Sequence, residues 1–396
     1  MPFPNQPRRD LILFLALFTS TAGNLVLTPI LPDVARDLGV STATAGGLRI
    51  ASGLGGGVVA LTLAVAGRRL GLRDLIAAGL LLIGLGSVIG AAAPTFAVLA
   101  AAQLAVGAGN AIVLSGAVAA AARWSEPSER PRVLSWALLG QPASWIAGMP
   151  AIGALAGLSW RLAMFVPLAA SAIALAALAT RPADAPEAAR GGIWSLLGRD
   201  GAVAGWAMGE LLAYAAWGGT LTFAGALMIE SYGPSPGLVG LLLAATATAY
   251  FPGNVLARRR AAESPRQLLA LLGSALAVAV AVLGAVRPGL WFSVAMFALI
   301  VLLVGARTLA GSAAGLKAAP RQAVAAMSIR AAATQLGMVV GAALGGTALT
   351  VGGYALLGAV LSILFAAAAV PHLAALRIPA ITHRYGPVPA IEGGHK

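Results

Sequence analysis

Long apolar runs separated by short polar stretches dominate the chain. An apolar α-helix of about 20 residues crosses the hydrocarbon core of a bilayer, and the chain contains twelve runs of about that length. We name them span 1 to span 12, at about 11–30, 44–66, 75–93, 95–121, 133–158, 162–180, 201–229, 237–257, 267–286, 290–313, 323–349 and 352–376. The pattern predicts an all-α membrane protein with both termini on one side.

Composition supports a membrane protein. Hydrophobic residues make up 59% of the chain and charged residues only 10%, whereas soluble domains are about 25% charged. The net charge of +13 would suggest nucleic acid as a partner of a soluble protein. Here the basic residues separate apolar segments, so we expect the lipid bilayer as partner and no nucleic acid. The chain has no cysteine, which excludes disulfides and cysteine metal sites.

The basic residues predict the orientation of the chain. The N-terminus, the loops after even-numbered spans and the C-terminal tail carry 20 of the 26 lysines and arginines. The opposite loops carry only Arg36, Arg161 and Arg287. By the positive-inside rule both termini are cytoplasmic, as in a multi-pass protein of a bacterial-type inner membrane. The stretch MPFPNQPRRD leads into span 1 without a short-signal cleavage site, so we expect span 1 to be retained.

A polar stretch divides the chain in two. Residues 181–200, RPADAPEAARGGIWSLLGRD, are rich in Pro, Gly and charge, which is typical of a linker. Similar features recur on either side of it, such as the glycines of span 5 and span 11 at an offset of 188. We predict two pseudo-symmetric six-helix bundles. Their boundaries are 1–180 (the N-half), 181–200 (a cytoplasmic linker), 201–377 (the C-half) and 378–396 (a cytoplasmic tail).

Two stretches resemble a known transporter family. TPILPDVARDLGVSTATAGGL (28–48) is similar to the first-loop pattern of the major facilitator superfamily. Gly148-Met149-Pro150, followed by Gly153 and Gly157, resembles the fifth-helix pattern of its twelve-helix drug and sugar efflux branch. The resemblance covers nearly the whole chain and implies an alternating-access transporter, often a proton-coupled antiporter.

Two departures from the family pattern concern the loop after span 2 and the middle of span 4. The stretch 64–76 keeps Arg69, Gly71 and Arg73, which the resemblance implies as a cytoplasmic gate loop, but Arg68 replaces the family's Asp. In span 4, Gln103 stands where the family has Arg. Proton coupling as the relatives perform it therefore does not carry over through these positions.

Apart from terminal positions, four ionisable residues lie inside spans, where such groups are costly and are functional hypotheses by default. They are Glu210, Arg307, Arg330 and Arg49. Glu210 is a candidate proton carrier, and with Arg307 and Arg330 it predicts a cluster that serves as gate and substrate anchor. The alternatives are a fixed structural ion pair for Glu210 and snorkelling to the interface for each Arg. Snorkelling is the favoured interpretation for Arg49.

Uncharged polar residues of the spans are weaker site candidates. A helix–helix hydrogen bond or a packing role explains any one of them equally well. The candidates for the substrate site or gate are Asn24, Thr28, Gln103, Asn110, Tyr214 and Trp217.

Small residues predict a surface on which the two halves move. Because lipid provides no hydrophobic drive between helices, small residues let backbones pack closely. We predict that span 5 and span 11 face each other between the halves, through Gly148, Pro150, Gly153, Gly157, Gly337, Gly341 and Gly345. Trp160 is expected in the interfacial aromatic belt, and Arg161 is expected to fix the outer end of span 5.

Other classes of protein find little support. No GxxxxGK[ST] motif is present, so ATP is not the expected energy source. His372, His383 and His395 lie at the end of span 12 and beyond it, which leaves no deep histidine for an intramembrane enzyme. We expect no metal and no cofactor. The sequence predicts a monomeric transporter of a small organic solute, with proton-coupled efflux first, uptake or exchange of an organic anion second, and a polytopic enzyme as a remote alternative.

Overall fold

The fold is helical throughout the residues that the structure describes. The computed structural model describes residues 6–66, 70–126, 128–181, 201–319 and 323–377, and within these ranges it contains no β-strand. An all-α architecture satisfies every backbone polar group within its own segment, as a bilayer requires.

The helices before the linker follow the predicted spans, and four of these spans are divided into more than one helix. Span 5 changes to a π-helical turn at Ser144–Gly148, because Pro150 has no N–H for the Ile146 carbonyl and the preceding turn widens. The helices are Gln6–Leu25 and Leu27–Asp37 (span 1), Thr42–Gly46 and Leu48–Ala66 (span 2), Leu72–Ala91 (span 3), Phe96–Arg123 (span 4), Arg130–Leu138, Gly140–Ala143 and Met149–Ala156 (span 5), and Trp160–Ala163 and Phe165–Ala179 (span 6).

After the linker, spans 11 and 12 follow each other directly in the 55-residue stretch Ala323–Arg377. Gly352 and Gly353 interrupt its helical dihedrals, with φ of 64° at Gly353, a left-handed value that favours glycine. This break separates span 11 from span 12. The helices are Gly201–Tyr232 (span 7), Pro236–Ala247 and Tyr250–Glu263 (span 8), Pro265–Ala285 (span 9), Leu290–Ala318 (span 10) and Ala323–Arg377 (spans 11 and 12).

The number of spans agrees with the sequence pattern. Among the described residues, nine helices are long and apolar enough to cross a membrane. One of them, Ile329–Leu373, has 45 residues, about twice the length of one crossing, and contains the glycine break. Leu48–Ala66 and the interrupted helices of span 5 supply the remaining crossings. The twelve-helix prediction is confirmed.

The same backbone contact occurs in each predicted half. A Cβ atom on Gly55 or Gly107 would overlap a carbonyl between spans 2 and 4, and one on Gly253 or Gly305 would do so between spans 8 and 10. Each glycine of the second pair follows its counterpart by 198 positions. The recurrence agrees with a parallel repeat. The domain boundaries stay a prediction, since the linker 182–200 and the tail 378–396 lie outside the described residues.

The two halves meet mainly through three pairs of helices: span 1 with span 7, span 2 with span 11, and span 5 with span 8. Span 1 contributes its second helix and span 5 its final turns, which lie toward the side predicted to face outward. On that side Thr42 donates a hydrogen bond to Glu230 across the halves, and Tyr354 donates to the same carboxylate at 2.7 Å. The halves are therefore joined on the predicted outer side.

The prediction that span 5 faces span 11 is wrong. A Cβ on Gly153 would lie 2.8 Å from the Pro236 carbonyl oxygen and 3.0 Å from Gly240, both on span 8. The span 11 glycines instead pack against span 7, within the C-half. The repeat accounts for the observed pairs: a two-fold relation exchanges span 2 with span 8 and span 5 with span 11, so the contact of span 5 with span 8 recurs as the contact of span 2 with span 11. Gly148 faces its own span and Phe18, and Gly157 meets only its own helix.

Trp160 also differs from expectation. Its side chain is buried and donates a hydrogen bond from Nε1 to Asp37 at 3.0 Å, so the ring packs inside the protein and does not face the lipid. Arg161 pairs with the same carboxylate at 2.9 Å and donates to the Ala91 and Ala93 carbonyls. Arg161 thus ties together the outer ends of spans 1, 3 and 6.

The Gly153 contact generates a testable prediction. Gly153→Leu places a side chain where the backbones of spans 5 and 8 touch, so we expect their outer ends to move apart by about 2–3 Å, toward ordinary helix spacing. Spin labels on cysteines introduced at Leu158 and Leu238 would report the distance, and the chain has no native cysteine to interfere. Gly157→Leu is the matched control and should leave the distance unchanged. Equal distances in the two variants would contradict a contact between spans 5 and 8 at Gly153.

Candidate functional site

Glu210 lies at the centre of the C-half. It is on span 7 and its side chain has 0% exposure. Gly311 of span 10 provides the space, because a Cβ there would approach both carboxylate oxygens within 2.8 Å. Trp206, one turn earlier on span 7, donates from Nε1 to the Gly311 carbonyl at 2.9 Å. Spans 7 and 10 are therefore held in the register that brings the carboxylate between them.

Two arginines neutralise this carboxylate. Nη1 of Arg307, on span 10, lies 2.9 Å from Oε1, and Nε of Arg330, on span 11, lies 2.8 Å from Oε2. Arg307 also donates from Nη2 to the Gly209 carbonyl at 3.0 Å. The structure therefore brings together the three residues predicted to form a cluster. Neither guanidinium snorkels to the interface, since both are engaged with Glu210.

The two arginines differ in their surroundings. Arg307 is almost completely buried, whereas the Arg330 side chain is 15% exposed. Arg330 donates from Nη2 to the Tyr214 hydroxyl at 2.6 Å and to the Thr308 carbonyl at 3.2 Å. Its guanidinium carbon lies 5.4 Å from the centroid of the Tyr214 ring. Arg330 and the half-buried Tyr214 are therefore the accessible edge of the cluster.

The formal charge of the cluster is positive. One carboxylate and two guanidinium groups sum to +1, and arginine does not lose its proton in proteins. Such a group buried in a low dielectric attracts anions strongly. The arrangement can therefore hold a second anionic or hydrogen-bond-accepting group at Arg330.

Arg49 belongs to a different group, in the N-half. Its guanidinium donates to the Asn24 carbonyl and to the Thr28 hydroxyl, the latter at 2.8 Å. Arg49 is only 5% exposed, so the snorkelling interpretation is wrong. The bonds lie at the change of helix in span 1, between Gln6–Leu25 and Leu27–Asp37. Among the described residues, no hydrogen bond or ion pair joins this group to the Glu210 cluster.

The other predicted polar residues are distributed between the halves. Gln103 and Asn110 of span 4 are buried, and no partner satisfies their side-chain amides among the described residues. Trp217 of span 7 stacks on Phe297 at a centroid distance of 6.1 Å. A single site that contains all the predicted residues is therefore not formed.

The predicted gate loop is described only in part. Gly71 precedes the helix of span 3, and Arg73 forms an ion pair with Asp74 at 3.2 Å. Arg69 lies outside the described residues. The gate function of this loop stays a prediction.

Three residues of the cluster region were not singled out from the sequence. Trp206 and Gly311 lock spans 7 and 10 together. Tyr250 of span 8 lies beside Tyr214, Thr308 and Arg330. The signal for Trp206 and Gly311 was weak, because an aromatic and a small residue on apolar helices are ordinary packing groups. Only the fold shows that Tyr250, 40 positions from Glu210 in the chain, lies near it.

The chain matches a known protein family. A sequence model of the Major Facilitator Superfamily matches residues 13–226, more than half of the chain. The chain belongs to the Major Facilitator Superfamily. This superfamily member is accordingly a multi-pass membrane transporter of small solutes rather than an enzyme. Its predicted fold class, two six-helix bundles of the major facilitator type, is confirmed.

Individual relatives agree with this assignment. The chloramphenicol resistance protein of Streptomyces lividans is 28% identical over 276 residues, which cover 67% of this chain and 70% of that protein. A bacterial homologue of the human lysosomal transporter Spinster, in an inward-facing and unoccupied conformation, has a TM-score of 0.72 at 14% identity, with 94% of each chain covered. A D-xylose–proton symporter has a TM-score of 0.72 at 12% identity, over 90% of this chain and 96% of the other. The solved structures show the fold alone.

The ion cluster of this transporter generates a prediction about stability. Glu210→Gln leaves two buried guanidinium groups without a counter-ion, and we expect a loss of about 3–5 kcal/mol in the free energy of unfolding. Removing one cation as well, in Glu210→Gln/Arg307→Gln, should recover about 1–3 kcal/mol of that loss. Thermal unfolding of the purified protein in detergent measures both. If the double variant loses as much stability as the sum of the losses in Glu210→Gln and Arg307→Gln, the cluster does not act as a unit.

Proposed function

We propose that this transporter is a proton-coupled exporter of a small organic solute. It works by alternating access in the cytoplasmic membrane, as a monomer with cytoplasmic termini. The resistance protein among its relatives supports export, because pumping a drug out of the cell is one way to resist it. The resemblance of span 5 to the efflux branch points the same way.

The observation that carries proton coupling is the carboxylate of Glu210. Among the described residues it is the one acidic side chain buried inside a span. An intramembrane acid is costly and is a functional hypothesis by default. Its two cationic partners come from different helices, so a movement of span 10 or span 11 changes the charge around it. A carboxylate whose surroundings depend on conformation can bind a proton in one state and release it in another.

Arg330 is the proposed link between proton and solute. It contacts Glu210 through Nε and Tyr214 through Nη2, and it is the more exposed of the two cations. While Glu210 is ionised, the ion pair holds Arg330 beside Tyr214, where the guanidinium can bind the solute. A proton on Glu210 weakens this pair and lets Arg330 leave that position. Binding of the proton would therefore oppose binding of the solute, as antiport requires.

The packing of the halves supports loading from the side of the termini. The joined helix ends lie on the predicted outer side. With the halves joined there, we expect the solute to enter between them from the opposite side. An exporter collects its solute from the cytoplasm, which agrees with such a state.

Glu210→Gln tests proton coupling. We propose chloramphenicol as the test solute, because the related resistance protein is named for it. In proteoliposomes with an imposed pH gradient, we expect the variant to lose at least about tenfold of the gradient-driven transport of this solute, because the amide cannot carry a proton. Exchange of labelled for unlabelled chloramphenicol without a gradient should persist and shows that the variant is folded. Glu263→Gln is the matched control, since Glu263 is 60% exposed at the end of span 8. Full gradient-driven transport by Glu210→Gln would remove Glu210 as the proton carrier.

Uptake or exchange of an organic anion is the second candidate. The observation that favours it is the formal charge of +1 at the cluster, with Arg330 at its accessible edge. An anion that accepts hydrogen bonds from Arg330 would compensate this charge. Lipophilic cations would be repelled by it.

Thermal stabilisation by a panel of anionic, neutral and cationic solutes between about pH 5.5 and 8 distinguishes the two candidates. A ligand at 100 times its dissociation constant stabilises by about 2.7 kcal/mol. If anions are the cargo, they alone should stabilise the wild type, and Arg330→Gln should abolish the effect. Arg259→Gln, with 89% exposure of the native side chain, is the control. Stabilisation by neutral drugs but not by anions would favour the exporter.

A further inference from the structure

His372 is a buried imidazole beside the ion cluster. It lies on span 12, five residues before the end of the helix at Arg377, or about 8 Å along the axis. The residue is only 3% exposed, and its Nε2 atom has no hydrogen-bond partner among the described residues. Buried polar atoms are normally hydrogen-bonded, so one without a partner needs an explanation. The sequence had suggested no deep histidine.

A glycine of span 7 makes room for this ring. A Cβ atom on Gly209 would lie 2.9 Å from Nε2 of His372 and 3.2 Å from the Ala368 carbonyl oxygen. The imidazole therefore lies directly against the backbone of span 7, at the residue before Glu210. The Gly209 carbonyl accepts a hydrogen bond from Arg307 at 3.0 Å. His372 and Arg307 of the cluster therefore both contact the backbone of Gly209, the residue next to Glu210.

The charged groups around His372 come from every helix packed near it. Glu210 belongs to span 7, Arg307 to span 10 and Arg266 to the start of span 9, toward the termini side. Span 11 contributes Arg330 on the far side of Glu210. His372 therefore packs at the level of Gly209, on the side of Glu210 that is nearer the termini, whereas Tyr214 lies one turn of span 7 beyond Glu210.

Among these neighbours, imidazole is the group suited to pass a proton. Arginine does not lose its proton in proteins, whereas the ring nitrogens of histidine can accept and release one, so that imidazole serves as a proton shuttle. Glu210 itself has no exposed surface. A proton on it needs an intermediate acceptor unless the cluster opens completely.

We propose that His372 relays a proton between Glu210 and the side of the membrane that carries the termini. The inference rests on the proposed proton coupling at Glu210. In the step, the Glu210 carboxyl loses its proton and becomes a carboxylate, neutral His372 takes a proton at Nε2 and becomes imidazolium, and the imidazolium then releases a proton to water. The proton thus leaves through the C-half interior, while the solute occupies the edge at Arg330.

A measurement that needs no solute tests the contact between the two groups. Hydrogen exchange at the imidazole carbon, followed by mass spectrometry of the full-length protein in detergent, gives a pH profile for each histidine. We expect the His372 profile of Glu210→Gln to differ from wild type by about half a pH unit or more, because a close charge affects protonation. The profiles of His383 and His395 are internal references, and each should be the same in the variant as in the wild type. Coinciding His372 profiles would overturn the proposal.

A transport measurement tests the relay itself. In proteoliposomes, His372→Gln should slow chloramphenicol transport driven by a pH gradient by about tenfold or more and flatten its dependence on the pH of the termini side. Chloramphenicol exchange without a gradient should stay within about twofold of wild type. Gly205→Ala is the control for packing between spans 7 and 12, since its added methyl meets Pro371 at an ordinary 3.7 Å.

The outcomes separate the relay from the proposed function. If Glu210→Gln abolishes driven transport and His372→Gln keeps the wild-type pH profile, the relay is overturned and coupling at Glu210 stands. If His372→Gln reduces exchange and driven transport equally, the residue has a packing role and the relay is overturned. If Glu210→Gln transports normally, the proposed coupling fails together with the relay.

Discussion

The buried carboxylate of Glu210 constrains how the helices of the C-half pack. An ionised group inside hydrocarbon is tolerated only when opposite charges and hydrogen bonds replace its water. Its partners come from spans 10 and 11, so three helices must keep a common register within hydrogen-bonding distance. The missing side chain of Gly311 and the Trp206 bond to the Gly311 carbonyl maintain that register. Any movement that separates these helices must first provide the cluster with another counter-charge.

Close backbone contact is the second general feature, and it has the same origin in the bilayer. Lipid gives helices no hydrophobic reason to associate, so glycines let carbonyls and α-carbons approach directly. Within each half these contacts hold spans 2 and 4, or 8 and 10, at equivalent positions. Between the halves Gly153 and Gly240 form one such contact. The contacts inside a half are numerous and interlocked, whereas those between halves lie mainly on one side, which suits rigid bundles that move relative to each other.

The arrangement around Glu210 has two faces with different chemistry. Arg330 and Tyr214 form the accessible face and offer a cation and a hydroxyl. His372 lies behind the peptide of Gly209, where the neighbouring groups are Arg307 and Arg266. A transporter that moves a solute and a proton in opposite directions gains from such separation, because the two need not share one path.

The sequence by itself determined that the protein is an all-α membrane protein, how many spans it has, and which charged residues lie inside them. Hydropathy and intramembrane charge are local properties of the chain. It also indicated that Glu210, Arg307 and Arg330 could meet, because their depths along three helices agree. Tertiary structure decided which helices face each other, and so corrected the pairing of spans 5 and 11, the interpretation of Arg49 and the environment of Trp160. Runs of small apolar residues do not show in which direction a side chain points around its helix axis. They also do not show the approximate two-fold axis between the halves. For the same reason only the fold shows that His372, near the end of its helix, lies buried beside Glu210.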